Sequence, residues 1–129
     1  MAVDLFTLFD DGILATTRAR LELGAIPWIE HPEFAGVYLK DIVTKEMTRG
    51  KCTCHLVRIE PTRSIGRHLH PDSFELHEVI GGEGTCLLES GSVFYKPGTM
   101  AVLPNNVEHE VRAGEKGLRL FAKFFAMAD

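Results

Sequence analysis

The sequence predicts an all-β protein, a sandwich or barrel built from short strands. Strand-like apolar runs recur at short intervals from residue 36 to residue 125. Turn signals separate these runs, because Gly and Asn accept positive φ and Pro presets a turn. They include Gly81-Gly82, Ser90-Gly91, Pro97-Gly98 and Asn105-Asn106. Strands do not alternate with helical patterns, which argues against a parallel α/β sheet.

The N-terminal segment, residues 1–35, differs in character from the barrel predicted for residues 36–129. The apolar pattern of residues 3–10 is consistent with a short helix or an edge segment, which Asp10-Asp11-Gly12 ends. Residues 13–26 fit either a helical turn or two or an extended arm. We expect both parts to form one unit, because a chain of 129 residues corresponds to one domain.

Eight strands are predicted beyond this arm. They are residues 36–44, 52–60, 77–80, 85–89, 92–95, 100–104, 108–113 and 117–125. A polar turn at Thr48-Arg49-Gly50-Lys51 separates the first two strands, and a second turn at residues 114–117 precedes the last. The almost continuous apolar character of residues 118–125 is typical of a strand that is buried on both faces or covered by another subunit.

Charge and composition argue against two classes of partner. The chain has 14 Lys and Arg against 18 Asp and Glu, without a basic run, so we expect no nucleic acid partner. No apolar run approaches the roughly 20 residues of a membrane helix, and the N-terminus lacks the basic region of a signal peptide. We therefore expect a cytoplasmic protein. Cys52, Cys54 and Cys86 are interpreted as small buried hydrophobic residues, because an odd count argues against a disulfide framework.

Histidines and carboxylates concentrate in residues 67–84, RHLHPDSFELHEVIGGEG. His68 and His70 are two apart, so on a strand both imidazoles project from the same face. A turn-like segment after His70 lets Glu75 begin the next strand and fold back beside the pair. Another histidine, His109, begins a predicted strand downstream. Two neighbouring imidazoles suit one metal ion, and the alternative is a polar, solvated strand and turn.

The spacing of these residues resembles the two sequence motifs of the cupin family. The first motif is matched by His68, His70, Glu75 and Gly82, and the second by Gly98, Pro104 and His109. The resemblance implies a double-stranded β-helix, also called a jelly-roll barrel. It also implies that the three histidines and Glu75 bind one divalent metal. The reaction is not implied, because the family spans many chemistries.

Two kinds of departure from the motifs matter. Thr62, Asn106 and Ala113 replace the residues usual at their motif positions, but none of these positions is a metal ligand. His77 leaves the third ligand open, because it lies two residues after Glu75 and shares its strand face. Either residue could bind the metal. His77 could also be a hydrogen-bond partner of the site or an acid/base near the substrate.

Two further histidines have simpler explanations. His31 and His55 are interpreted as structural, although His55 alternates with Val57 and Ile59 and could face a cavity. The aromatic side chains are assigned to the core or to a pocket wall, without a choice between the two. They are Trp28, Phe74, Phe94, Phe121 and Phe124.

Three functions fit such a site. Imidazoles with one carboxylate suit Fe, Mn, Ni, Co, Cu or Zn, and a site with open positions is typical of catalysis or ligand binding. The first hypothesis is a metal-dependent oxygenase, isomerase or hydrolase that acts on a small organic molecule, with His77 or Glu78 as proton carrier. The second is a non-catalytic small-molecule or metal sensor resembling the cupin domains of anti-sigma factors. The third is a storage or structural role for a barrel without metal.

A homodimer is the expected assembly. The resemblance implies it, because single-barrel cupins are usually dimers in which N-terminal strands cover a neighbour's sheet. The apolar N-terminal segment and residues 118–126 fit that arrangement, since exposed barrel edges need covering.

Overall fold

A computed structural model describes residues 4–127 and confirms the all-β class. The elements are α1 (Leu5–Asp10), β1 (Ile13–Ala15), β2 (Arg20–Glu22), a 3-10 turn (Leu23–Ala25), β3 (Ile29–Glu30), β4 (Val37–Val43), α2 (Lys45–Thr48), β5 (Cys52–Ile59), β6 (Ser64–His68), β7 (Ser73–Leu88), β8 (Gly91–Tyr95), β9 (Met100–Leu103) and β10 (His109–Ala126). Within the described residues, every helix is too short or too polar to cross a membrane.

The two long strands, β7 and β10, connect the two sheets of the barrel. The first half of β7 and the second half of β10 lie in one sheet with β3, β4, β5 and β9. The second half of β7 and the first half of β10 lie in the other with β6 and β8. Apolar side chains from both sheets fill the space between them. This arrangement is the predicted jelly-roll barrel.

The long strands correct two predicted turns. The turns expected at Gly81-Gly82 and at residues 114–117 do not reverse the chain, because β7 and β10 each continue through as one bent strand. Gly82 and Gly117 both have positive φ, 68° and 76°. A Cβ on Gly82 would lie 2.1 Å from the carbonyl oxygen of Gly117. Glycine therefore lets the two strands approach each other closely and bend. The same glycines gave the turn signal in the sequence, although the chain does not reverse there.

The N-terminal arm packs against the outer face of the first sheet. Helix α1 is the predicted short helix, and residue 3 of that prediction lies outside the described residues. Residues 13–26 are mainly the extended alternative, a small hairpin of β1 and β2 followed by the 3-10 turn. Phe6 of α1 lies in a buried cluster with Leu23, Leu56 and Phe121.

Smaller differences from the sequence analysis are local. The predicted polar turn at residues 48–51 includes the end of the four-residue helix α2, and Arg49 and Gly50 supply its positive φ angles. Phe94 is neither core nor pocket wall, because it is 57% exposed. All three cysteines are free; Cys54 and Cys86 are buried as expected, and Cys52 is half-buried.

Candidate metal centre

Three histidines and one glutamate converge between the two sheets at one end of the barrel. His68 ends β6, Glu75 lies near the start of β7, and His109 begins β10, where it pairs in register with His68. His70 follows two residues after β6. One donor atom from each of the four side chains lies within 4.8 Å of the other three. The structure thus brings together all four residues that the cupin resemblance implied as ligands.

The position of His70 differs from the prediction. His68 and His70 were expected on one strand face, but β6 ends at His68 and His70 lies in the following loop. Their rings are nevertheless only 4.9 Å apart between centroids. The loop brings the second imidazole to the same point that strand alternation was expected to provide.

Backbone carbonyls fix the orientation of two of the imidazoles. Nδ1 of His68 lies 2.7 Å from the carbonyl oxygen of Gly66, and Nδ1 of His109 lies 3.0 Å from that of Val107. A carbonyl oxygen only accepts, so both Nδ1 atoms carry a proton and donate it. Each neutral ring therefore presents the lone pair of Nε2 to the cluster, which is the tautomer a metal ligand needs.

The cluster has more acceptors than donors. Nε2 of His109 lies 3.1 Å from Oε1 of Glu75, and with its proton on Nδ1 a neutral His109 has nothing to donate there. Nε2 of His70 is buried 3.4 Å from the same oxygen and has no hydrogen-bond partner among the described residues. The buried lone pair of His109 that faces this carboxylate oxygen requires a cation between the two atoms, and imidazoles with a carboxylate suit a divalent transition metal. The donor set therefore fits such an ion.

Burial and the contacts within the cluster shift the pKa values of its side chains. Burial would raise the pKa of Glu75, but contacts with His109, His70 and His77 hold that pKa well below its ordinary value. Burial lowers the pKa of His68. Burial also opposes the charge on His109, yet its contacts with Glu75 and the Val107 carbonyl raise its pKa. Glu75 is thus an anion that draws positive charge toward the cluster, either a proton or a metal.

A cavity of about 410 Å³ opens onto this cluster. Most of its lining area is apolar, and its polar side chains include His68, His70 and Glu75 of the cluster. The apolar residues of the wall are Phe34, Leu39, Val57, Ile65, Leu69, Leu120, Ala122 and Phe124. A small organic molecule could lie against this wall with one end at the four ligands.

The sequence of this barrel matches the model of the cupin domain over residues 55–122, which is more than half of the chain. The chain belongs to the cupin family. Among curated proteins, none matches the sequence significantly.

Solved structures resemble this cupin in fold. A predicted oxalate decarboxylase from Thermotoga maritima is 22% identical with a TM-score of 0.73, over 81% of this chain and 96% of that protein. KdgF from a Halomonas species is 20% identical with a TM-score of 0.66, over 80% and 90%. A sugar phosphate isomerase from Silicibacter pomeroyi is 18% identical with a TM-score of 0.71, over 83% and 75%. At these identities the likeness concerns the fold.

In this cupin His77 lies behind Glu75. Its Nε2 lies 2.7 Å from Oε2 of Glu75, and its Nδ1 lies 2.8 Å from the hydroxyl of Tyr95. The carboxylate only accepts, so Nε2–H donates to it and Nδ1 accepts from Tyr95. Burial raises the pKa of the Tyr95 phenol, which keeps the hydroxyl a donor. Of the roles left open for His77, this geometry matches the hydrogen-bond partner of a ligand.

The other predicted proton carrier, Glu78, is not brought to the site. Strand alternation places it on the face of β7 opposite to Glu75 and His77. Its carboxylate lies 2.5 Å from Nζ of Lys123, outside the cavity wall. The structure therefore does not bring Glu78 to the four candidate ligands, and its role as a proton carrier stays a prediction.

Three polar residues of the cavity wall in this cupin were not among the expected site residues. His55, interpreted as structural although able to face a cavity, lines the cavity and contacts Asp41, which also lines it. His31 also lines the cavity, and its Nδ1 accepts a hydrogen bond from the backbone N–H of Glu33. The signal for His55 was its alternation with Val57 and Ile59, which face the barrel core.

Proposed function

We propose that this cupin is a metal-dependent enzyme that acts on a small, oxygen-bearing organic molecule in the cavity. The observation that carries the proposal is the buried contact of Oε1 of Glu75 with the lone pair of Nε2 of His109, 3.1 Å away. Fe, Mn, Ni, Co, Cu and Zn all suit the donor set. The metal, when bound, would supply Lewis-acid chemistry, or oxygen chemistry if it is redox-active.

Different residues of the chain would bind the metal, orient one of its ligands and form the cavity wall. His68, His70, Glu75 and His109 would hold the ion. His77 donates to Oε2 of Glu75 and so leaves Oε1 directed at the histidines. The apolar cavity wall excludes water and orients the carbon skeleton of a ligand.

The names of structural neighbours support an enzyme over a sensor. A predicted oxalate decarboxylase, a sugar phosphate isomerase and a polyketide cyclase share this fold with TM-scores above 0.7. A fold supports many functions, so these names support a class of role and not a substrate. A small-molecule or metal sensor with the same ligands is the alternative.

Elemental mass spectrometry tests the metal. Tag-free protein purified without added metal should carry about one equivalent of a transition metal, as one four-ligand site predicts. His109→Ala and Glu75→Ala should lose it. His31→Ala is the matched control, because His31 lines the same cavity outside the cluster. Absence of metal from the wild type, even after reconstitution, would contradict the proposal.

Turnover distinguishes the enzyme from the sensor. The metal-loaded protein would be screened with keto acids, hydroxy acids and sugar phosphates. Product that depends on the metal and disappears in His109→Ala would support the enzyme. Saturable binding of one of these compounds without product would favour the sensor.

The homodimer and the cytoplasmic location stay predictions. Exposed apolar side chains on α1, Leu5, Leu8 and Phe9, are compatible with a second copy covering this segment. Light scattering at micromolar concentration measures the assembly, and a monomer mass would contradict it.

A further inference from the structure

Of the four proposed ligands, His70 alone lies outside a strand. It belongs to the His70 loop, residues 69–72, which connects β6 to β7. A loop lacks the ladder of hydrogen bonds that fixes a strand, so its backbone groups need other partners to hold one position. The place of Nε2 of His70 in the cluster therefore depends on what the backbone of this loop contacts.

Three successive carbonyls of the His70 loop each accept a hydrogen bond. The backbone N–H of Asn106 donates to the carbonyl of His70 over 2.9 Å, and the side-chain amide of Asn105 donates to the carbonyl of Pro71 over 3.3 Å. The third carbonyl, one residue further on, accepts from the backbone N–H of Met127 over 3.0 Å. These bonds use the backbone of the loop and leave Nε2 of His70 available to an ion.

Two of these donors come from the segment that precedes His109. Residues 104–108 connect β9 to β10, and Asn106 there has a φ of 62°, a left-handed conformation that asparagine tolerates. The carbonyl of the next residue, Val107, accepts the hydrogen bond from Nδ1 of His109 over 3.0 Å. One short segment thus contacts two proposed ligands, through the backbone of His70 and through the ring of His109.

We propose that Asn105 is a positioning residue of the metal site, which together with the backbone N–H of Asn106 holds His70 in place for the ion. This inference rests on the proposed function, because it requires that the four side chains bind a metal. Nε2 of His70 already lies 3.4 Å from Oε1 of Glu75. A ligand that is held in position before the ion arrives loses less conformational freedom on binding, so the affinity for the ion is higher.

The hydrogen bond of Asn105 contributes to position more than to stability. It lies at the protein surface, where water can replace the amide as donor to the carbonyl of Pro71, so its loss costs the fold little. A water molecule, however, does not tie this carbonyl to residues 104–108. Without the amide the His70 loop gains freedom, and the ion must restrict that freedom when it binds.

Zinc affinity tests the positioning role. Asn105→Ala should bind zinc roughly three- to ten-fold more weakly than the wild type, the range of one hydrogen bond, with little change in urea denaturation of the metal-free protein. Asn106→Gly is the matched control, because glycine keeps both the positive φ and the backbone N–H. This control should bind zinc like the wild type. Competition with a zinc-binding dye measures each affinity.

A double-mutant cycle shows whether Asn105 acts through His70. In a His70→Ala background, Asn105→Ala should change zinc affinity by less than about two-fold, because the ligand that it positions is gone. An equal loss of affinity in the two backgrounds would overturn the proposal.

Amide hydrogen exchange gives a second readout, which does not require His70→Ala to bind zinc. Coupling between two sites is reciprocal, so zinc should strengthen the contacts of the His70 loop as these contacts strengthen zinc binding. Zinc should therefore slow exchange of the Asn106 amide more than that of the Leu23 amide, which donates to the carbonyl of Gly12 in the N-terminal arm over 2.9 Å. If bound zinc slows both amides equally, or leaves Asn106 unchanged, the positioning role is wrong.

The failures are distinguishable. Equal losses in the cycle, or no selective slowing at Asn106, would overturn the role of Asn105 and leave the metal site intact. Failure of the wild type to bind zinc at all would overturn the proposed function, and this inference with it.

Discussion

Two buried clusters of charge lie on opposite faces of the same sheet, and they differ in how completely their polar atoms are paired. On the outer face, Nζ of Lys40 donates to the side chain of Asp10, to the backbone carbonyl of Asp10 at 2.9 Å and to that of Leu23 at 2.8 Å. On the inner face, Glu75 faces His70 and His109, and Nε2 of a neutral His109 has no proton to offer because Nδ1 carries it.

The difference separates a structural cluster from a functional one. An ammonium has three N–H bonds, and each finds an acceptor around Lys40, so the cluster is complete without a ligand. It fastens the N-terminal arm to β4. The Glu75 cluster is complete only when a cation is added. A surplus of acceptors in a buried place therefore indicates where an ion binds.

The largest expected effect comes from breaking the complete cluster. Lys40→Met keeps much of the side-chain volume but removes the ammonium donor from the backbone carbonyls of Asp10 and Leu23, and it leaves the Asp10 carboxylate paired with Nε1–H of Trp28. We expect the free energy of unfolding to fall by about 2–4 kcal/mol, with metal content unchanged. Urea denaturation measures the loss.

Lys123→Met is the matched control for that variant. Lys123 also pairs with a carboxylate, Glu78, but its side chain is 32% exposed against 2% for Lys40. Exposed pairs contribute at most about 1 kcal/mol. Equal losses in the two variants would contradict the view that the Lys40 cluster owes its importance to burial.

Removing the metal should give the next largest effect. A ligand that binds only the folded state at about 100 times its Kd adds about 2.7 kcal/mol to the free energy of unfolding. A chelator should therefore lower the melting temperature of the wild type and leave that of His109→Ala unchanged. An equal shift in both proteins would mean that the chelator acts elsewhere.

The sequence predicted the parts of the site that depend on short spacing or on recognised motifs. His68, His70 and Glu75 lie within eight positions of the chain, and the cupin motifs brought in His109. The location of His70 off the strand did not alter its role, because the loop remains short. The jelly-roll barrel followed from the same motifs.

Contacts across strands were harder to predict. Tyr95 lies 18 residues from His77, and Asp41 lies 14 residues from His55. Both contacts depend on strand register and packing, which a single sequence does not determine. Alternation also assigned Glu75 and His77 to one face without deciding which of them faces the other histidines. In the structure His77 contacts Tyr95 and Oε2 of Glu75, while Oε1 of Glu75 faces His109.

A substitution at Glu75 should act with the opposite sign to Lys40→Met. In Glu75→Gln the amide oxygen can accept from His77 while an amide N–H donates to Nε2 of His109. At a pH high enough for His109 to be neutral, we expect the metal-free variant to gain about 1 kcal/mol in free energy of unfolding. It should lose metal binding. Urea denaturation of metal-free wild type and variant measures the change, and a loss of stability like that of Lys40→Met would show that the carboxylate is already paired without metal.

The smallest expected effect lies one hydrogen bond further from the metal, at Tyr95. Tyr95→Phe removes the hydroxyl that donates to Nδ1 of His77, so His77 orients Glu75 less firmly. The direct partner of a ligand affects metal affinity by roughly 10- to 100-fold, so a residue acting through that partner should cost about two- to five-fold. Competition with a zinc-binding dye measures the affinity, with Tyr38→Phe as control, since Tyr38 lies on β4 outside the cavity wall. An unchanged zinc affinity in Tyr95→Phe would mean that the hydrogen bond from Tyr95 to His77 does not influence the metal site.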